Sequence, residues 1–82
     1  PDPVPQMIQA KVNTDTIEVW GNATLKLNRQ GKSNNRLKDF DYIWDGERKC
    51  WWKSFVDENE KTVVLDKLAG LMEEYNLEIK YS

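Results

Sequence analysis

The 82-residue chain contains no histidine and a single cysteine, Cys50. Without imidazole, the nucleophilic triads and dyads that pass a proton through histidine are excluded. One thiol builds neither a disulfide framework nor a thiolate zinc site. Cys50 as a nucleophile would lack its base, and its place in a strand pattern reads as a small, half-buried packing residue. A lone free thiol fits a reducing, intracellular (cytoplasmic) setting best. The three prolines all fall within the first five positions. The opening PDPVPQ, residues 1–6, therefore reads as a disordered arm, an expression scar or a linker. The folded domain is expected over residues 7–82, with Met7 as a candidate natural start. No stretch of about 18 apolar residues is present, so no membrane span is expected, and no charged-then-apolar signal segment opens the chain. The four glycines do not form a phosphate-cradling loop.

What the chain does hold is charge and aromatic rings. Apolar residues are 39% of it and charged residues 32%, which permits one thin domain in which every aromatic matters to stability. Net charge is −2, against a generic polyanion binder, but the charge is unevenly placed. From Ala23 to Ser54 there are eight Lys or Arg against four Asp or Glu, a local +4; the remainder carries four against ten, a local −6. Such an arrangement predicts one basic and one acidic face.

Along the chain, Ile8, Ala10 and Val12 alternate in MIQAKV, NTD supplies turn residues, and TIEVW resumes the alternation at Ile17 and Val19. This predicts a hairpin. ATLKLN reads as a third strand with Leu25 and Leu27 inward, or as a helix beginning there. NRQGKSNNRLKD is polar and aperiodic, a loop of about a dozen residues tightened by a helical turn at Arg36 to Lys38. It holds Arg29, Lys32, Arg36 and Lys38 against one acid, Asp39.

YIWDGERKCWWK follows, with Asp45-Gly46 as the hairpin signal between aromatic runs. Whether the turn has two or four residues, parity assigns the same faces. Phe40, Tyr42, Trp44, Lys49, Trp51, Lys53 and Phe55 share one, predicted to pack the core with Lys49 and Lys53 snorkelling outward. Asp41, Ile43, Arg48, Cys50, Trp52 and Ser54 share the other. Trp44 and Trp51 are thus expected buried and Trp52 more exposed. An acidic VDENE precedes a helix over Thr62 to Asn76, whose Val64, Leu65, Leu68, Leu71, Met72 and Tyr75 form a core stripe. Asn76 stops it, and LEIKY closes as a strand. The economical solution is an α+β domain, a small antiparallel sheet of four to five strands packed against one principal helix.

The carboxylate pairs Asp39 with Asp41, Asp45 with Glu47, and Glu73 with Glu74 sit on a loop, a turn and a helix surface, where solvated charge is expected rather than acid–base chemistry. DENE lacks the ligand spacing of a calcium loop. The chain therefore reads as not an enzyme, and no cofactor or metal is implied.

Trp44 and Trp51, with six residues between them in WDGERKCW, followed by an aromatic-containing strand and the helix LDKLAGLMEEY, resemble the HARP module of annealing helicases. The stretch also looks like related small modules attached to phage and plasmid DNA-processing proteins. The resemblance spans roughly Arg36 to Ile79 and implies a module that helps its protein grip forked or unwound DNA. Where that family has a helix between its first strand and this hairpin, the chain carries the Gly- and Asn-rich segment.

Two functions are expected from these features. One is a nucleic-acid-binding accessory module preferring single-stranded or forked DNA. In it Arg29, Lys32, Arg36, Lys38, Arg48, Lys49 and Lys53 would hold the backbone and Trp52 would stack on an unpaired base. The other is a protein-interaction module that regulates or inhibits a larger machine, with Trp52 and Arg48 as anchors. A recognition domain of a larger enzyme, with PDPVPQ as its linker, is a third reading.

Overall fold

A computed structural model of the chain describes residues 6–29 and 34–82. The PDPVP segment and Lys32 of the basic loop lie outside the described residues. Among the described residues the order is β1 (Gln6–Val12), β2 (Thr16–Trp20), a 3₁₀ helix (Asn22–Leu27), a second 3₁₀ helix (Arg36–Phe40), β3 (Ile43–Asp45), β4 (Cys50–Ser54), α1 (Glu58–Glu74) and β5 (Leu77–Tyr81). The fold is α+β, a five-stranded sheet packed with one main helix.

The sheet is mixed rather than antiparallel throughout. Its order is β3-β4-β2-β1-β5, and β5 runs parallel to β1. The cause is the helix. β4 is antiparallel to β2 and β2 to β1, so β4 and β5 point the same way. Parallel strands need a crossover, and α1 supplies it. At 1.5 Å per residue its seventeen residues span about 26 Å, enough to return along the strands. Asp57 caps its start by accepting from the Glu60 amide at 2.8 Å, and Glu58 and Glu60 sit in the first turn, where the helix dipole favours negative charge. Its end is closed by Asn76 in the left-handed region at φ 54°, a conformation asparagine tolerates. The acidic segment before Thr62 is thus the first turn of the helix rather than its approach.

ATLKLN is not a strand. It forms the first 3₁₀ helix, which buries Ala23, Thr24 and Leu27 but leaves Leu25 65% exposed. Gly21 precedes it at φ 115°, a conformation costly for any residue with a Cβ. The register carries one row of side chains, Ala10–Val19–Trp51–Trp44, across four strands on the helix side. Ile8, Ile17 and Val19 beneath the helix, with Leu27 and Leu37 from the 3₁₀ segments, are wholly buried, and Val64, Leu68, Leu71 and Met72 close over them. Truncating such an isoleucine or leucine to alanine costs about 2–5 kcal/mol. The opposite face, carrying Lys11, Glu18, Trp20, Ile43, Cys50 and Trp52, is not covered by any described helix. Among the described residues no helix is long and apolar enough to cross a membrane.

Candidate functional site

The aromatic hairpin turns further along the chain than the Asp-Gly pattern suggests. Asp45 pairs with Cys50, leaving residues 46–49 as the turn. Asp45 Oδ1 accepts from the amides of Glu47 (3.0 Å) and Arg48 (3.2 Å), and Lys49, not Gly46, takes the left-handed conformation at φ 57°. The shift preserves parity, so Trp44 stands opposite Trp51 and Ile43 opposite Trp52. Faces follow the sequence; burial does not. Trp51 is 8% exposed, but Trp44 is 46% exposed and Trp52 is half-buried. Trp44 stands on β3, the edge strand, whereas α1 packs most extensively on β5, the opposite edge of the sheet. Its ring leans on Trp51, with centroids 5.3 Å apart and planes at 53°.

That lean makes the floor and one wall of a groove of about 280 Å³, whose other side is built by Thr24, Leu25, Asn28, Asn35 and Lys38. The two 3₁₀ segments are held in place around it by Asn35. Its Oδ1 accepts from the Leu37 amide at 2.9 Å, and its Nδ2 donates to the Thr24 carbonyl (2.8 Å) and to Asn28 Oδ1 (2.9 Å). The chain also bridges Asn28 to Asn35 and bonds the Arg29 amide to the Asn34 carbonyl at 3.1 Å, so both ends of the basic loop are pinned beside the groove. The groove thus combines an accessible indole, a fixed amide and a lysine. At this size it matches a single planar ring better than a drug-sized ligand, for which about 300–1,000 Å³ is usual.

The residues expected to form one surface are divided by the fold. Trp52 and Arg48 lie on the uncovered sheet face, where Arg48 pairs with the buried Glu18 carboxylate. Lys11, Glu18, Trp20, Arg48 and Cys50 line a shallow depression of about 290 Å³ there. Cys50 is buried rather than half-buried, and desolvation pushes its thiol pKa up, with Arg48 pulling the other way. Lys53 is on the helix side, lining a separate apolar cleft of about 200 Å³ with Phe40, Tyr42 and Val64. Arg29 pairs with Asp39. Arg36 is a clamp: its guanidinium reaches Asp39 at 3.2 Å, Glu74 at 2.6 Å and the Tyr75 hydroxyl at 3.1 Å, tying the second 3₁₀ helix to the end of α1. Hydrogen bonds to Tyr75 and Glu74 raise its pKa further. Lys38 and Lys49 remain exposed and form no ion pair among the described residues. Lys26, exposed beside Leu25, is a cation that loop composition did not single out.

Thr24, Leu25, Asn28, Asn35 and Trp44 are therefore among the groove residues that sequence patterning missed. Edge-strand position was the missing signal for Trp44, since strand order cannot be read from alternation alone. No protein-family model, curated protein or solved structure matches the chain.

Proposed function

We propose that this chain is a non-enzymatic nucleic-acid-binding accessory module that prefers single-stranded or forked DNA, with Trp44 rather than Trp52 as the base-stacking ring. The observation carrying this reading is the groove at the β3 edge, where the nearly half-exposed Trp44 rests on Trp51 beside Lys38. An indole face takes any base at about 1–3 kcal/mol per stacked base, and it needs that base unpaired. Lys26, Lys38 and Lys49 supply the phosphate-neutralising charge, since Arg29, Arg36 and Arg48 are already engaged by carboxylates. The resemblance of the Trp44–Trp51 spacing to that of HARP-like modules favours the same reading. Titrating fluorescently labelled single strand, duplex and fork at two salt concentrations tests it. Single strand and fork should bind more tightly than duplex, with affinity falling steeply as salt rises. Absence of binding to every ligand at low salt removes the proposal.

A second reading rests on the uncovered sheet face, where Trp20, Trp52 and Ile43 surround the Glu18–Arg48 pair. Its charges are balanced and its rings are of the type enriched at protein interfaces, which supports a protein partner over a phosphate backbone. A complex formed there would hold at salt concentrations that release nucleic acid.

A further inference from the structure

The two edges of the sheet are not equivalent. β3 is three residues long, and a short edge strand is one of the ways a fold keeps an edge from pairing. β5, at the other end of the order, runs five residues without proline, and its register against β1 is unbroken from Gln6↔Leu77 to Ala10↔Tyr81. One hydrogen bond shows which backbone groups it leaves free. The Ser82 amide donates to the Ala10 carbonyl at 2.8 Å, and backbone groups alternate sides along a strand. Glu78, Lys80 and Ser82 therefore turn their amides and carbonyls to β1, while Leu77, Ile79 and Tyr81 turn theirs to the outer edge. No described strand pairs there. The side chains sort the same way. Ile79 and Tyr81 stand beside Ile8 and Ala10 on the helix side, and Glu78 and Lys80 are exposed on the other. Tyr81, at the end of the strand, is still 45% exposed and borders a depression with Val12 and Leu65.

We propose that β5 is a dimerisation edge, to which a second copy of this chain adds its own β5, antiparallel, about a two-fold axis at Ile79. In that register Ile79 faces the partner's Ile79 and Leu77 faces the partner's Tyr81, both as hydrogen-bonded pairs that use the free amides and carbonyls. Glu78 then stands opposite the partner's Lys80, and Lys80 opposite the partner's Glu78. These are the non-hydrogen-bonded positions, where side chains approach most closely. The charges select this register. An axis at Glu78 or at Lys80 would set that residue against its own copy, like charge on like, and so would parallel in-register pairing. A two-fold contact must be self-complementary, and this strand is. Pairing also brings the partner's Leu77 to the exposed Tyr81 and joins two five-stranded sheets into one. The Trp44 groove sits at the opposite edge, so the dimer leaves it open whatever it binds.

The test is sedimentation velocity of the full chain from micromolar to millimolar protein, because one added strand makes a small interface of the weak class. Wild type should pass from monomer to dimer as concentration rises. Glu78→Lys and Lys80→Glu each set like charges opposite one another at both positions, and each should weaken dimerisation about tenfold. Carrying both substitutions in one chain restores opposite charges and should recover the wild-type dimer. Mixing the two single variants should do the same by forming a heterodimer. Both side chains are exposed, and circular dichroism checks that every variant keeps its fold. A wild type that stays monomeric throughout overturns the proposal. A dimer indifferent to the single substitutions places the contact on another surface and overturns it as well. So does a double variant as weak as the single ones.

Discussion

Replacing Tyr42 by phenylalanine is expected to stabilise the protein at neutral pH and to blunt its loss of stability in alkali. Tyr42 is 5% exposed, its ring belongs to the core, and its hydroxyl finds no hydrogen-bond partner among the described residues. In the unfolded chain that hydroxyl is hydrated. Burying it unpartnered costs about 1–3 kcal/mol, whereas phenylalanine keeps the ring contacts without that cost. Taking the low end, the gain is about 1 kcal/mol, or roughly 4–8 °C in Tm for a domain of this size. The pH dependence has a definite sign. Burial raises the phenol pKa well above its ordinary 10.0. Below about pH 10 both folded and unfolded chains keep the proton and the stability is whole. Above it the unfolded chain releases a proton the folded one retains, and stability falls by about 1.4 kcal/mol per pH unit. The Tyr81 pKa is also raised by burial, but at 45% exposure its contribution is smaller. Urea unfolding followed by tryptophan fluorescence at pH 7, 10 and 11 measures all of this. A Tyr42→Phe protein less stable than wild type at pH 7, or one with an unchanged alkaline slope, would refute the reasoning.

Other expectations follow from the same geometry. Cys50, buried and with its thiol held protonated, should react with a thiol reagent at neutral pH far more slowly than after denaturation; equal rates would contradict its burial. Arg36→Ala should lower Tm by releasing the second 3₁₀ helix from Glu74 and Tyr75, and leave the salt slope of DNA binding unchanged. Lys38→Ala should do the reverse, leaving Tm alone and reducing the salt slope by about one unit.

How much of this was legible in the sequence depends on the length scale of the signal. Local alternation gave the β1–β2 hairpin, the faces of the aromatic hairpin and the body of α1, because periods of 2 and 3.6 are written in neighbouring residues. Parity even survived a turn of different register. The parallel pairing of β5 was not legible, since it depends on which distant strand the chain meets after α1. The same gap misplaced Trp44: alternation says which side a ring faces but not whether its strand is central or at an edge. Charge counting failed differently. Arg29, Arg36 and Arg48 are cations in the sequence, yet each meets a carboxylate from another element in the fold, Arg36 across 38 positions at Glu74. For ATLKLN, Leu25 and Leu27 share a strand face but point differently in a 3₁₀ helix, so only Leu27 is buried.

Which tryptophan meets an unpaired base is decided most directly by a paired titration. Labelled single-stranded DNA is titrated with wild type, Trp44→Ala and Trp52→Ala at one low salt concentration, with folding checked by circular dichroism. Trp44→Ala should weaken binding by about 1–3 kcal/mol, while Trp52→Ala leaves it close to wild type. Weakened binding in Trp52→Ala with Trp44→Ala unaffected would contradict the edge groove and move the site to the uncovered face of the sheet.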